Sequence, residues 1–332
     1  VVGFWGAYQR NLTIQSGYSV PLQPVTFPYT DAVRFFYCKP TPVDGQGVRV
    51  AVVDTGVGPH PHLRLVEGWN TVRGEPSTDF ETNGNPHGTH VAGIIASQGD
   101  PLATPAGIWG LAPAVDLVSF RVFGANNGLS TNYSIVKAIL YAIRHPTSGL
   151  QCDIINLSIS GDPVEDPVML AALQDACDHG ILVVAAAGNN YRQPVSPLAR
   201  YAFQEGVSVS ACGRKGTYPA GAYEESHFDP SPAAAQPDDF MAAFTNIGDV
   251  SMTAPGVGII STVPPDGYAP LSGTSMACPV IAGFAARLWS QTPALFHAAR
   301  DRQRVVNFVN HLNTFAATLG FAFAYEGSGM PR

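Results

Sequence analysis

Six short runs rich in apolar residues, at 48–53, 116–122, 153–159, 181–186, 206–211 and 257–262, punctuate the chain. Each is strand-length and bounded by turn residues, which predicts buried strands. Between them apolar residues recur at helical spacing, predicting helices at 87–97, 132–144, 167–179 and 275–290. In the third, Val168, Leu170, Ala171, Leu173 and Ala176 keep that spacing and Gly180 follows as a C-terminal cap. Strands alternating with helices predict an α/β fold, a mainly parallel sheet covered by helices.

The pattern fails in two places. Residues 1–45 mix aromatics with Pro and Gly without a period and are expected to form an N-terminal arm, ending at the turn Asp44-Gly45-Gln46-Gly47. Residues 213–240 are rich in Gly, Pro, Ala and acids, and read as a surface insertion within a domain spanning 46–332.

Composition narrows the classes. Charged residues are only 13% of the 332 while Gly (34) and Pro (28) abound, so a turn-rich globular protein is expected. A net charge of −7 with 18 scattered basic residues excludes a phosphate-binding patch, and nucleic acid is not an expected partner. No run reaches the roughly 18 apolar residues of a membrane span, so no membrane partner is expected either. Residues 1–20 lack the pattern of a secretory signal. Five cysteines, Cys38, Cys152, Cys177, Cys212 and Cys278, leave at least one unpaired within the chain and the redox compartment open.

Four segments carry chemistry. Asp54 closes the first apolar run and precedes Thr55-Gly56, at the strand edge where α/β sheets gather ligands; such an Asp also caps ordinary turns. His87-Gly88-Thr89-His90-Val91-Ala92-Gly93 opens a helix whose glycines permit close backbone approach. Its two histidines lack the intervening carboxylate of His-Glu-x-x-His, which argues against zinc. Gly273-Thr274-Ser275-Met276-Ala277-Cys278-Pro279 puts Ser275 at a helix start, where serine is also a common cap. Pro279 is expected to lie near the first turn, where few donors are engaged. Asn189 follows Val184-Ala185-Ala186-Ala187-Gly188 at a strand end, placed either as an amide donor for an oxyanion or as a turn residue.

Together, Asp-Thr-Gly, His-Gly-Thr-His and Gly-Thr-Ser-Met-Ala, in that order and with Asn189 between the last two, resemble the subtilisin-like serine peptidases from about Gly47 to Trp289. The resemblance implies a three-layer fold, with helices on both faces of the sheet, and a serine endopeptidase. It makes Ser275 the nucleophile, His87 the general base and acid, Asp54 the residue orienting His87, and Asn189 part of the oxyanion hole. A base that has to be neutral implies activity rising through about pH 6 to 8.

The resemblance also implies that the segment holding Ser158, Ile159 and Ser160 pairs with an extended polypeptide substrate. Ala186, Ala187 and Gly188 would line the opposite wall of the first specificity pocket. Ser160 stands where the family usually has Gly, and Val280 where it often has His. No cofactor is required for the chemistry. A structural calcium is common in the family, but His62 replaces its usual Asp ligand, leaving Asp100 and Asn126, in or near loops, as the residues where calcium could be held elsewhere. A propeptide or protein inhibitor, a monomeric state and secretion are family expectations, with an intracellular enzyme the alternative; residues 1–45 do not read as a complete folded propeptide. Cys278, one turn beyond Ser275, is expected to be a small core residue; an accessible thiol there would let mercurials inhibit. Two other functions remain open: a peptide transferase or macrocyclase using the same triad, and an inactive peptide-binding scaffold.

Overall fold

Strand β1 (Arg49–Asp54) has all six residues buried, and its side chains divide between two cores as a pleat requires: Val50 and Val52 on one face, Ala51 and Val53 on the other. A run buried on both faces has no polar alternation, so it reads as a solid apolar block. The computed structural model that shows this describes residues 33, 36–99, 107–125, 128–160, 164–230 and 234–331.

Around β1 the sheet adds β2 (Leu65–Asn70), β3 (Asp116–Arg121), β4 (Ile154–Leu157), β5 (Leu182–Ala186), β6 (Val207–Arg214), β7 (Asp239–Met241) and β8 (Met252–Pro255). The order is β2-β3-β1-β4-β5-β6-β7, with β8 also paired to β6. Every pairing is parallel except β6 with β7. The chain runs from β1 to β3 on one side and then to β4 on the other, so the order reverses at β1. Crevices form beyond the carboxyl ends of strands at such a reversal, and Asp54 is the last residue of β1.

Helices α1 (His87–Ala96) and α5 (Thr274–Gln291) cover one face; α2 (Asn132–Ile143), α3 (Pro167–Asp178) and α4 (Pro197–Glu205) cover the other. The three layers and the mainly parallel sheet are as expected, and all four expected helices occur with ends moved by no more than one residue. The cap at Gly180 holds as well, with φ +70. A hairpin, β9 (Ile259–Val263) with β10 (Gly267–Leu271), flanks α1, and α6 (Arg302–Asn313) closes the base of the domain.

Most of the expected arm, residues 1–32, 34 and 35, lies outside the described residues; at its end Gly45 and Gly47 turn the chain at φ +86 and +81. Of the stretch 213–240 expected as an insertion, residues 213 and 214 belong to β6 and residues 239 and 240 to β7. Between them the described residues form loop and one 3₁₀ turn, Tyr223–His227.

Candidate active site

Asp54 is fully buried at the end of β1, and its Oδ1 accepts two hydrogen bonds: from Thr55 N at 2.7 Å and from His87 Nδ1 at 2.7 Å. This bond sets the ring's orientation, with Nδ1 toward the carboxylate and Nε2 on the opposite side.

His87 opens α1, and its placement is set by neighbours more than by the helix. Its amide donates to Asn85 Oδ1 at 3.0 Å, while Thr55 Oγ1 donates to Asn85 O at 3.0 Å and accepts from Gly88 N at 2.9 Å. Thr82 Oγ1 adds a second bond to Asn85 O at 2.6 Å. A β-carbon on Gly88 would lie 2.4 Å from Gly56 O, so only glycine lets α1 approach β1 this closely. His90, one turn on, is enclosed. Its Nε2 meets the carbonyls of Ile259 and Ala269, and burial pushes its pKa down to about 3, so it stays a neutral packing residue.

Ser275 is the second residue of α5, only 3% exposed, among the first four amides that a helix leaves without internal partners. Its hydroxyl donates to Ser158 O at 3.1 Å. Pro279 is not at the first turn as expected; it is the sixth helical residue. Lacking an N–H, it strips the Ser275 carbonyl of its i→i+4 bond. Ser158 Oγ supplies the replacement, donating to Ser275 O at 2.9 Å. Asn156 Nδ2 in turn donates to Ser158 Oγ at 2.9 Å, and the Cys278 thiol to Asn156 Oδ1 at 3.2 Å. Proline in the second turn thus ties the main chain at Ser275 to the end of β4.

Asn189 leaves β5 with its amide oriented by its own oxygen: Oδ1 accepts from Thr274 N and Thr274 Oγ1, both at 2.9 Å. Thr274 Oγ1 also accepts from Gly188 N at 3.1 Å. With the oxygen committed, Nδ2 is the end of the side chain left to serve a ligand. A methyl built on Gly273 would lie 3.4 Å from Asn189 Nδ2 and 3.6 Å from Ser275 N. The absent side chain keeps open a space adjoining both donors.

Parallel pairing of β4 with β5 ends at Leu157 and Ala185, so the segments that follow leave the sheet side by side. Ser158 and Ile159 are buried and Ser160 half-buried on one side; Ala186, Ala187 and Gly188 are buried on the other. Every expected site residue therefore comes to one edge of the sheet. Thr274, Asn85 and the Ser158 hydroxyl were not singled out from sequence, although Thr274 lies inside the Gly-Thr-Ser signature and Asn85 sits two residues before His87.

The model of the subtilase family matches residues 45–321. The chain belongs to this family. Among curated relatives, Subtilisin BL of Lederbergia lenta is 35% identical over 287 residues, covering 86% of this chain and 89% of that protein. Subtilisin DY of Bacillus licheniformis is 34% identical over 292 residues, with the same two coverages. An alkaline protease of Shouchella clausii is 35% identical over 287 residues, 86% of this chain and 63% of the relative.

In this subtilase the surroundings of His62 do not suit calcium. Its Nδ1 meets the Tyr268 hydroxyl and its amide donates to His60 Nδ1 at 3.1 Å, a set of imidazoles and a phenol where calcium takes carboxylate and carbonyl oxygens. Among the described residues no group of three or more His, Cys, Asp or Glu is placed to hold a metal. Asp100 and Asn126 lie outside the described residues.

None of the five cysteines is in a disulfide. Cys278 is fully buried, and burial pushes its thiol up, as it does Cys152 to about 12 and Cys177 to about 11. An accessible thiol beneath Ser275 is not what the subtilase has. At neutral pH a disulfide reagent such as DTNB is expected to find one fast thiol, the exposed Cys38, and to reach the other four only after unfolding. Cys278 labelled in folded protein, mapped by peptide mass spectrometry, would contradict this.

Proposed function

We propose that this subtilase hydrolyses peptide bonds of extended polypeptides by way of an acyl-enzyme on Ser275. The observation that carries the reading is the buried 2.7 Å bond from His87 Nδ1 to Asp54 at the sheet edge that also holds Ser275 and Asn189.

In this reading Ser275 Oγ turns from the Ser158 carbonyl to His87 Nε2, passes its proton there, and forms a bond to the substrate carbonyl carbon. The carbonyl oxygen takes the negative charge in the space bounded by Asn189 Nδ2 and the Ser275 amide, where fixed donors stabilise it without reorganisation. The Asp54 carboxylate stabilises the imidazolium. The carbon–nitrogen bond then breaks as His87 returns the proton to the leaving amine. Water, deprotonated by His87, repeats the sequence to release the acid and free Ser275. Apolar walls at Ala186 and Ala187 suit a substrate side chain, and main-chain groups at Ser158–Ser160 suit strand pairing. The same reading extends to a monomeric, secreted enzyme whose cleft takes a propeptide or protein inhibitor in place of substrate, carried by the family likeness.

A fluorophosphonate is expected to label Ser275 stoichiometrically, and a peptide library to be cut with free acid and amine products. Folded, unblocked protein that neither labels nor cuts would sink the proposal. Products joined to an added amine in preference to water would make the chain a transferase.

A further inference from the structure

Immediately after Asn189 the backbone enters an uncommon conformation. Tyr191 and Arg192 are consecutive residues at φ 54 and 67, the left-handed region that side-chain-bearing residues seldom occupy and that persists only where surroundings enforce it. The enforcement is visible. Segment 188–195 is laced to 244–247: Asn246 N donates to Gly188 O at 2.9 Å, Tyr191 N to Phe244 O at 3.0 Å, and Arg192 N to Thr245 O at 3.1 Å. Asn246 adds its side chain, Oδ1 accepting from Asn190 N at 2.7 Å and Nδ2 donating to Pro194 O at 3.2 Å.

The Arg192 guanidinium fastens this lacing from outside. It donates to Ala242 O at 3.0 Å, to Met241 O at 3.3 Å and to Asp229 Oδ2 at 3.0 Å, and lies over the Tyr325 ring at 5.1 Å. Asp229 belongs to the 213–240 stretch that breaks the sheet pattern. Two main-chain carbonyls, a carboxylate and a ring are four partners of three kinds, and a planar five-donor fork meets them together as no lysine would.

We propose that Arg192 is a positioning residue for the oxyanion hole. By clamping the turn after Asn189 to Asp229 and to the 241–245 segment, it fixes where the Asn189 amide stands. Thr274 holds the side-chain oxygen, but the Cα that carries it is held through the turn. Misplacing a donor by about 1 Å at a reacting centre costs on the order of 10²-fold in rate, so the clamp governs kcat without touching substrate. This inference rests on the proposed role of Asn189.

The test is a double-mutant cycle on a peptide substrate, with melting temperature measured for each protein. Arg192→Ala is expected to lower kcat at least tenfold with KM changed less than about threefold; Arg192→Lys should restore little, and Asp229→Asn should show a smaller loss of the same kind. In an Asn189→Ala background the Arg192→Ala loss is expected to shrink below about threefold, since residues that act through one another are not additive. Should Arg192→Ala fail to fold, Asp229→Asn carries the same comparison. Equal losses in both backgrounds, or a loss confined to KM, would overturn the proposal. Unchanged kcat in Asn189→Ala alone would remove the oxyanion reading itself, a failure distinguishable from that of the clamp.

Discussion

Replacing Asp54 with asparagine is expected to lower kcat by about four orders of magnitude, the size of the loss when the aspartate of a subtilisin triad alone is removed. The local geometry says which part of the aspartate's work is lost. Thr55 N and His87 Nδ1 both donate to Oδ1. An asparagine must present its carbonyl oxygen there, because its NH₂ would face the Thr55 amide donor to donor. The Nδ1 proton, and with it the basic Nε2, is therefore kept. What disappears is the negative charge beside the imidazolium. The new NH₂ takes the position of Oδ2, which is buried without a hydrogen-bond partner among the described residues, so the substitution also leaves an unsatisfied donor. Steady-state kinetics on a peptide substrate, with a thermal melt to confirm folding, checks it. A loss of less than tenfold would mean that the Asp54–His87 bond does not serve catalysis.

Much of this site was legible because its parts are short, contiguous and chemically loud. Asp54, His87 and Ser275 each end or begin an element at a Gly-flanked signature, and the interior strands of the central sheet are buried on both faces, which leaves short runs rich in apolar residues. Elements lacking that clarity were missed. Strand β2 is an edge strand, half exposed, with Glu67 and Gly68 inside it. Helix α4 begins at Ser196-Pro197 and ends at Gly206 but carries few strong apolar positions. Helix α6 had a readable signal in the Asp301 cap followed by Val305, Phe308 and Leu312. The positioning shell was least visible. Ser158 answers Pro279 across more than 110 residues, and Arg192 and Asn246 each make several contacts with partners distant in sequence, which no period announces. The Pro279 expectation erred for the same reason, since the group that takes over the freed Ser275 carbonyl, Ser158 Oγ, is distant in sequence.

The largest expected effect on stability lies at the opposite edge of the sheet, at Asp153 before β4. Its Oδ2 accepts from Arg49 N at 2.9 Å, and its Oδ1 from Arg300 at 2.8 Å and Arg304 at 3.0 Å. Arg304 is only 2% exposed, and burial pulls its guanidinium below its usual pKa. It also donates to Gly180 O and Phe296 O, both at 2.9 Å, and stacks on Trp289 at 4.4 Å. One guanidinium thus joins the end of α3, the end of α5 and α6. Asp153→Ala would leave it buried without its countercharge and would orphan the Arg49 amide. Breaking a buried pair from one side costs roughly 3–5 kcal/mol, which corresponds to a fall in Tm of about 5–8 °C for a domain of this size. Arg300 is the internal control: at 39% side-chain exposure its replacement by alanine should cost about 1 kcal/mol or less. Since Asp153 sits at the amino ends of the strands and Asp54, Ser158 and Asn189 at the carboxyl ends, kcat per folded molecule should not change. Calorimetry and kinetics on the same preparations separate the two effects. A fall in Tm no larger for Asp153→Ala than for Arg300→Ala would show that the buried arginine does not depend on this carboxylate.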